Sequence, residues 1–418
     1  MRQTLNELPE SLDETFERIL MGIKRTNQTH AYQILQCLSV AARPLRVEEL
    51  AEIFALDFDR TRTERTPVLN GNWRWEDHEQ AVLSTCPSLI TIVDNGHSRV
   101  VQFSHFSVKE FLLSDRLATS RRDISQFHIA LEDAHTTLAQ ACLATLLRLD
   151  GSSSIDQVER DFPLAKYACQ HWAEHAQFGT VSLRIKDGME HLFDPTRPHF
   201  LAWLRSYNID DHWNRFGNAW VARGSPLYYA SLCGFRDLAE HIINGHPEQV
   251  NATGGRRHSP LAAALCKGHF QVAELLHQHG ASVNATDYNK TLLQAASMDG
   301  RSDVVRWLLE RGADPNSQQN DHVPPIHLAT VNGRLEVIQT LLEYGVDIHS
   351  TDKDGRTPLH LASSSGKVEV VRLLLEHGAN ANLVDNDGCT PLSLTWTIEV
   401  ERLLLGHDAS PDEGLVLT

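Results

Sequence analysis

No run of roughly 18 apolar residues, the least that a membrane-spanning helix requires, occurs in this sequence. Positive charge is short as well: 38 Lys and Arg face 54 Asp and Glu, a formal net charge of -16. That balance argues against nucleic acid or an anionic membrane as the main partner, since both reward clustered Lys and Arg. Paired cysteines are missing too. Cys37, Cys86, Cys142, Cys169, Cys233, Cys266 and Cys389 are odd in number and scattered, with no Cys-x-x-Cys among them. This excludes a zinc ribbon or finger built on Cys knuckles and disfavours a disulfide framework. Most fall in apolar helical stretches, where reduced Cys acts as a small core residue. Met1 to Glu17 is polar and acidic without an apolar signal core, which predicts a soluble, cytoplasmic chain.

Motifs for nucleotide and hydrolytic chemistry are equally absent. A phosphate-binding loop needs Gly, four residues, then Gly-Lys-Ser/Thr, because backbone amides cradle the phosphates and the hydroxyl holds Mg²⁺. Gly366-Lys367 is the sole Gly-Lys; Val368 follows it, and Leu361 stands where the first Gly belongs. No Gly-x-Ser-x-Gly nucleophile elbow occurs. One metal motif matches by letter. His171-Trp-Ala-Glu174-His175 has the His-x-x-Glu-His form of inverted zinc proteases, with Glu174 placed as base. However, Leu164, Tyr167, Ala168, His171, Trp172 and His175 recur at three- and four-residue spacing, so both histidines share an apolar stripe. We read a packed helix there, and expect no metal, no cofactor and no catalytic residue.

What the sequence does have is self-similarity. Pro226, Pro260, Leu292, Pro325, Pro358 and Pro391 lie 34, 32, 33, 33 and 33 residues apart. The clearest copy reads Asp354-Gly-Arg-Thr-Pro-Leu-His-Leu-Ala362, then Gly366, Val370-Val-Arg-Leu-Leu-Leu375 and His377-Gly378-Ala379. Thr357 can cap an inner helix that Pro358 begins. Gly366, with Gly234, Gly268, Gly300 and Gly333 in register, suits the turn between two helices. Apolar pairs from Ile242-Ile243 to Leu374-Leu375 mark the outer helices, which Gly245, Gly280, Gly312, Gly345 and Gly378 should end. These residues resemble the ankyrin repeat over about 216–411. The last copy lacks about three residues and the mid-repeat Gly. Leu292 replaces the Pro, Pro324 replaces the capping Thr, and the aromatic Trp203 to Trp220 stretch is expected to cover the first copy's open face.

Upstream, Ser11-Leu-Asp-Glu14 has the shape of a capping box ahead of Phe16, Ile19, Leu20 and Ile23. Helices are predicted near 29–41 and 47–54. Leu89 to Asp94 and Arg99 to Ser104 flank Asn95-Gly96 as a hairpin, and 107–114 returns to helix. Three helices and a two-stranded wing suggest a winged helix. Its candidate recognition helices carry Glu48, Glu49 and Glu52, or Glu76, Asp77 and Glu79, which phosphates would repel. Leu8-Pro-Glu-Ser-Leu-Asp-Glu-Thr15, Arg43-Pro-Leu-Arg-Val-Glu-Glu-Leu50 and Phe103-Ser-His-Phe-Ser-Val-Lys-Glu-Phe111 resemble a segment of fungal NACHT-ankyrin receptors, which are STAND ATPases. The same segment resembles the winged-helix module named after GPI inositol-deacylases. His135 to Leu143 and Phe162 to Ala176 resemble the helical piece that follows it, and Gly151-Ser-Ser-Ser-Ile155 reads as a loop.

In stacks of the ankyrin family, hairpin tips and inner helices form a concave face whose residues vary freely. Register places Asp287, Tyr288, Lys290, Met298 and Asp299 on it, then Asn320, Asp321, Val331 and Asn332, then Lys353, Asp354, Arg356, Ser364 and Ser365. Asp321, Asp352, Asp354, Asp385 and Asp387 make the C-terminal tips acidic, suited to a basic or mixed-charge segment. The expectation is a mainly α protein: winged-helix domain 1–125, helical connector 126–215, and about six ankyrin repeats over 216–418. Its expected role is protein binding as a cytoplasmic adaptor or sensor scaffold in signalling, without nucleic acid or membrane. In the alternative, the chain comes from an incomplete gene model of a STAND NTPase whose phosphate-binding loop lies upstream.

Overall fold

Helix is the main product of this pattern, in two compact units, Met1–Asn218 and Ala219–Thr418. A computed structural model describes residues 10–58, 67–69, 77–86, 88–96, 98–151, 155–207, 224–287, 290–317 and 323–410.

The first unit opens with α1 (Glu10–Met21), α2 (Gln28–Val40) and α3 (Val47–Phe54), the last entered from β1 (Leu45–Arg46). A two-residue pairing of β2 (Leu56–Asp57) with β3 (Val68–Leu69) and α4 (His78–Thr85) come next. β4 (Ile90–Asp94) and β5 (Arg99–Phe103) form the expected hairpin, Ile92 opposite Val101. Its turn is held by the Asn95 side chain, whose Oδ1 accepts the Ser98 N–H at 2.9 Å. Gly96 sits there at φ 81°, a conformation glycine adopts without strain. β1 extends the wing to three strands in the order β1-β5-β4, and α5 (Phe106–Leu112) follows. Phe16, Leu20, Ile34, Leu35, Leu50, Ile53 and Phe111 are buried, with the Phe16 and Phe111 rings 5.5 Å apart. Ser11 lies inside α1 rather than ahead of it, so the capping-box expectation fails: the helix has already begun at Glu10.

The acidic reading of the recognition helix also needs correction. Glu49 and Glu52 are buried, not presented to solvent. Glu49 takes two hydrogen bonds from the Arg43 guanidinium, at 2.7 and 2.8 Å, and one from the Arg46 N–H at 2.8 Å. Burial alone would raise its pKa. The bonds from Arg43 and Arg46, with both guanidinium charges, outweigh that and hold the carboxyl below its usual range. Glu52 accepts from Arg148 at 3.1 Å and from the Leu164 N–H at 2.7 Å. These carboxylates fasten α3 in place.

Beyond α6 (Asp115–Ala118) and α7 (Arg122–Ser125) runs α8 (Leu131–Leu146), which packs against α2 and, further along, α10. α9 (Ile155–Asp161), α10 (Ala165–Ala176), α11 (Val181–Arg184), α12 (Lys186–Phe193) and α13 (His199–Ser206) complete the unit's described residues. Trp172 and Trp203 meet edge to face at 5.5 Å beside Phe193, and the Trp203 Nε1–H donates to the Cys169 carbonyl at 3.1 Å. Trp203 is thus core of this unit; the remainder of the expected cover, 208–220, lies outside the described residues.

Among its described residues the second unit stacks five helix pairs: α14 (Pro226–Cys233) with α15 (Arg236–Gly245), α16 (Pro260–Lys267) with α17 (Phe270–Gln278), α18 (Leu292–Asp299) with α19 (Ser302–Glu310), α20 (Pro325–Val331) with α21 (Leu335–Glu343), and α22 (Pro358–Ser364) with α23 (Val368–Glu376). The hydroxyl of Thr357 caps its inner helix as the sequence predicts, and those of Ser225, Ser259 and Thr291 cap theirs in the same way. The turn glycine Gly333 takes φ 68°. Gly245 departs from expectation: it stays inside α15, and Pro247–Asn251 turns the chain instead. β6 (Thr286–Asp287) and β7 (Lys290–Thr291) form one hairpin tip. The sixth copy has only an outer helix, α24 (Ile398–Leu405); 391–394 is turn, as the missing residues require. Trp396 donates to the Ser364 carbonyl at 3.0 Å.

Candidate interaction face

In four of the five described inner helices the third residue carries a tie to the next repeat. His360 Nε2 bonds the Cys389 carbonyl at 3.1 Å, His327 Nε2 the Arg356 carbonyl at 2.9 Å, and Gln294 Nε2 the Val323 carbonyl at 2.8 Å. In the first repeat the Tyr228 hydroxyl does the same by accepting the Arg257 N–H at 3.1 Å. Every one of these spans 29 residues. Burial lowers the pKa of His327 and His360 despite opposing backbone bonds and carboxylates, so both ties use neutral imidazole. Nδ1 of His360 is satisfied by Thr357, whereas Nδ1 of His327 has no hydrogen-bond partner. Pro324, standing where Thr would, offers neither a hydroxyl nor an N–H. At the same position the second repeat has Ala262, which can make no tie at all.

Around this framework the expected contact residues separate into two kinds. Asp299, Val331, Asn332, Lys353, Asp354, Ser364 and Ser365 are exposed. Lys290 and Met298 are half-buried together, Nζ 3.9 Å from the sulfur. Arg356 serves the fold: its carbonyl receives the His327 tie, and its guanidinium faces buried Asp385 at 3.6 Å. Tyr288, Asn320 and Asp321 lie outside the described residues, as does the side chain of Asp287. The acidity of the tips is less than the sequence suggested. Asp385 is buried, its Oδ1 accepting the Asp387 and Cys389 N–H groups, and half-buried Asp352 does likewise for Asp354 and Arg356. Burial would raise the Asp385 pKa, but those N–H groups, with His360 and Arg356, hold it low. Exposed acid is left at Asp354 and Asp387 among the described tips.

The His-x-x-Glu-His motif forms no convergent pair. His175 is buried, with Nε2 2.8 Å from the Tyr167 hydroxyl and Nδ1 2.9 Å from Nδ1 of His135. Both nitrogens are therefore engaged. Burial, then the neighbouring imidazoles of His135 and His171, lower its pKa to about 3. His171 turns to Glu174 instead, at 3.1 Å. This polar chain, with Tyr167 also accepting the Ala42 N–H, was invisible in sequence because its members lie on three separate segments. Among the described residues no helix is long and apolar enough to cross a membrane.

Comparison with known proteins agrees with this architecture. Residues 227–319 and 326–413 match the family described as ankyrin repeats (3 copies), and 16–125 match the GPI inositol-deacylase, winged helix domain. The chain is a winged-helix and ankyrin-repeat protein. More particularly, a winged helix of the GPI inositol-deacylase type ahead of ankyrin repeats makes it similar to the NACHT-ankyrin type proteins of fungi. The azaphilone pigments biosynthesis cluster protein L of Monascus ruber is 32% identical over 297 residues, 67% of this chain and 61% of that protein. The ankyrin repeat and SAM domain-containing protein 6 of Mus musculus is 32% identical over 94 residues, 22% of this chain and 11% of its own length. The chain thus spans about three fifths of the first relative and about a tenth of the second. The human ASB11 ankyrin repeat domain superposes with a TM-score of 0.40 at 26% identity, over 45% of this chain and 84% of that one.

Proposed function

We propose that the chain is a non-catalytic interaction module, a cytoplasmic adaptor or sensor region that engages a protein through the inner-helix and tip face of its repeats, without nucleic acid or membrane. The division into winged helix 1–125, connector 126–215 and repeats 216–418 is part of this reading. The observation that carries it is the separation of duties within each repeat. Tie residues such as His360 and Gln294 are buried and committed, while neighbours such as Asp299, Val331, Lys353, Asp354, Ser364 and Ser365 are exposed and free to vary. Asp287, Tyr288, Asn320 and Asp321 belong to the same proposed face.

The test is affinity capture with the full chain and with Asp354→Lys and Val331→Asp variants. Exposed charges act mainly on association rate and salt dependence, buried contacts on dissociation. Asp354→Lys should therefore slow association, and Val331→Asp should speed dissociation. Partners that respond to neither, and that bind a chain ending at residue 215, would refute the reading. A second reading, a STAND NTPase with its nucleotide domain upstream, is favoured by the NACHT-associated winged helix. Sequencing of the native transcript tests it, since an upstream Gly-x-x-x-x-Gly-Lys-Ser/Thr would establish it.

A further inference from the structure

One junction of the array is built differently from the rest. The inner helices of successive repeats pack closely in the pairs α14 with α16, α18 with α20, and α20 with α22, but α16 and α18 do not, and their outer partners α17 and α19 also stand apart. It is also the junction with the short 32-residue spacing, from Pro260 to Leu292. It is where Ala262 removes the tie. The result is an open cavity of about 250 Å³ walled by Ala262, Leu265, Cys266, Leu292 and Ala295. Arg301 also lines it, its guanidinium committed to the Leu265 and Cys266 carbonyls at 2.8 and 2.5 Å, while Arg257 and Asp299 stand at the same cavity. Neither side chain has a hydrogen bond or ion pair among the described residues.

We propose that this cavity is the anchor pocket of the array, taking one aromatic or large aliphatic side chain of a partner polypeptide. The partner carries a carboxylate beside that side chain, to meet Arg257, and a cation on the other flank, to meet Asp299. The proposal rests on the interaction reading given above and narrows it to a place and a chemistry. Size supports it, since an apolar protein cavity of ~150 Å³ suffices to admit benzene. Chemistry supports it as well: an apolar floor with few polar groups at its edge is the usual make-up of an anchoring site, where a single buried ring can dominate affinity. The opposite charges fix direction, because reversing the segment would set like charges against each other.

The experiment uses the full chain and a fluorinated phenylpropanoate, which carries the ring and the carboxylate alone, followed by fluorine NMR. Saturable binding with an affinity on the order of millimolar is expected for so small a ligand. Ala262→His fills the cavity from α16 and restores the residue type found at His327 and His360; it should keep the array folded and abolish binding. Ala295→Leu fills the cavity from α18 and should do the same, so a folding failure in one variant leaves the other to decide. Arg257→Ser should weaken the probe by roughly tenfold, about the worth of one charge-assisted contact. Alkylation of Cys266, followed by peptide mapping, should slow when the probe is bound. Absence of saturable binding, or undiminished binding in both filled variants, overturns the pocket. If the probe behaves as expected but no protein engages the repeats, the pocket stands and the broader reading falls. If a protein engages the repeats and its dissociation rate ignores Ala262→His, the pocket falls and the broader reading stands.

Discussion

In the first unit the Tyr167 hydroxyl accepts from Ala42, 125 residues away, and Glu52 accepts from Leu164, 112 residues away; in the second, the ties between repeats reach 29 residues. One region closes long loops around a shared core, and the other repeats a local step. Long-range closure makes a unit cooperative, since no part keeps its partners when another leaves. Neighbour-by-neighbour stacking makes stability a sum of repeat and interface contributions, so damage spreads only as far as coupling carries it. The same sequence length therefore yields two different responses to injury.

The largest effect should come from Trp172→Ala. Removing a fully buried ring from the Trp203 and Phe193 cluster should cost about 3–5 kcal/mol, comparable to the whole stability of a modest domain. Hydrogen exchange should then show protection lost throughout 10–207, and retained over 224–410. Equal loss in both would break the comparison. Gly333→Val should cost roughly 1–3 kcal/mol through its φ of 68°, because a β-carbon there meets only the flexible Lys367 side chain at 3.7 Å. Here exchange should rise around 325–376 and fade with distance, leaving the first unit unchanged.

Acid should sharpen the contrast further. His175 titrates at about 3 in the folded chain against 6.5 when free, so the unfolded state takes up a proton first. The stability it contributes is present above pH 6.5 and is lost as pH falls from there toward about 3. Urea midpoints of the first unit should decline over that window, and His175→Phe should flatten the part due to this residue. The smallest effect is expected from Pro324→Thr. A hydroxyl and an N–H restored beside His327 Nδ1 should stabilise the array by about 0.5–1.5 kcal/mol, readable as a raised thermal midpoint.

The repeat array was legible because its signals are local. A cap, a Pro, a mid-repeat Gly and an apolar pair recur within one helix–turn–helix, and so do their conformations. The hairpin at Asn95-Gly96 was legible for the same reason. What escaped was non-local. β1 is two residues long and exists because Leu45 finds Val101 across the unit. Glu49 and Glu52 looked like surface charge until Arg43, Arg46 and Arg148 were brought to them. Asp385 was misread likewise, since an acid at a tip can tie its own turn as readily as it can face solvent. For the proposed interaction face, register picked out exposed residues such as Asp299, Val331 and Asp354 together with half-buried Lys290, Met298 and Arg356, but not the junction that opens at Ala262. One signal for it was present: a helix-start spacing of 32 among neighbours of 33 and 34.

A pull applied at residue 410 would reach α24 before the complete helix pairs. That helix lacks an inner partner of its own; besides buried Val400 and Leu404 and its packing on α23, its neighbourhood is fastened through Trp396 to the Ser364 carbonyl and through Asn382 to Asp408 and Ser410. These few bonds would be loaded nearly one after another, so the half repeat would peel away under a force that leaves the complete pairs intact. The half repeat is thus a short tether that pays out before the complete pairs are strained, a mechanical fuse beside the stack.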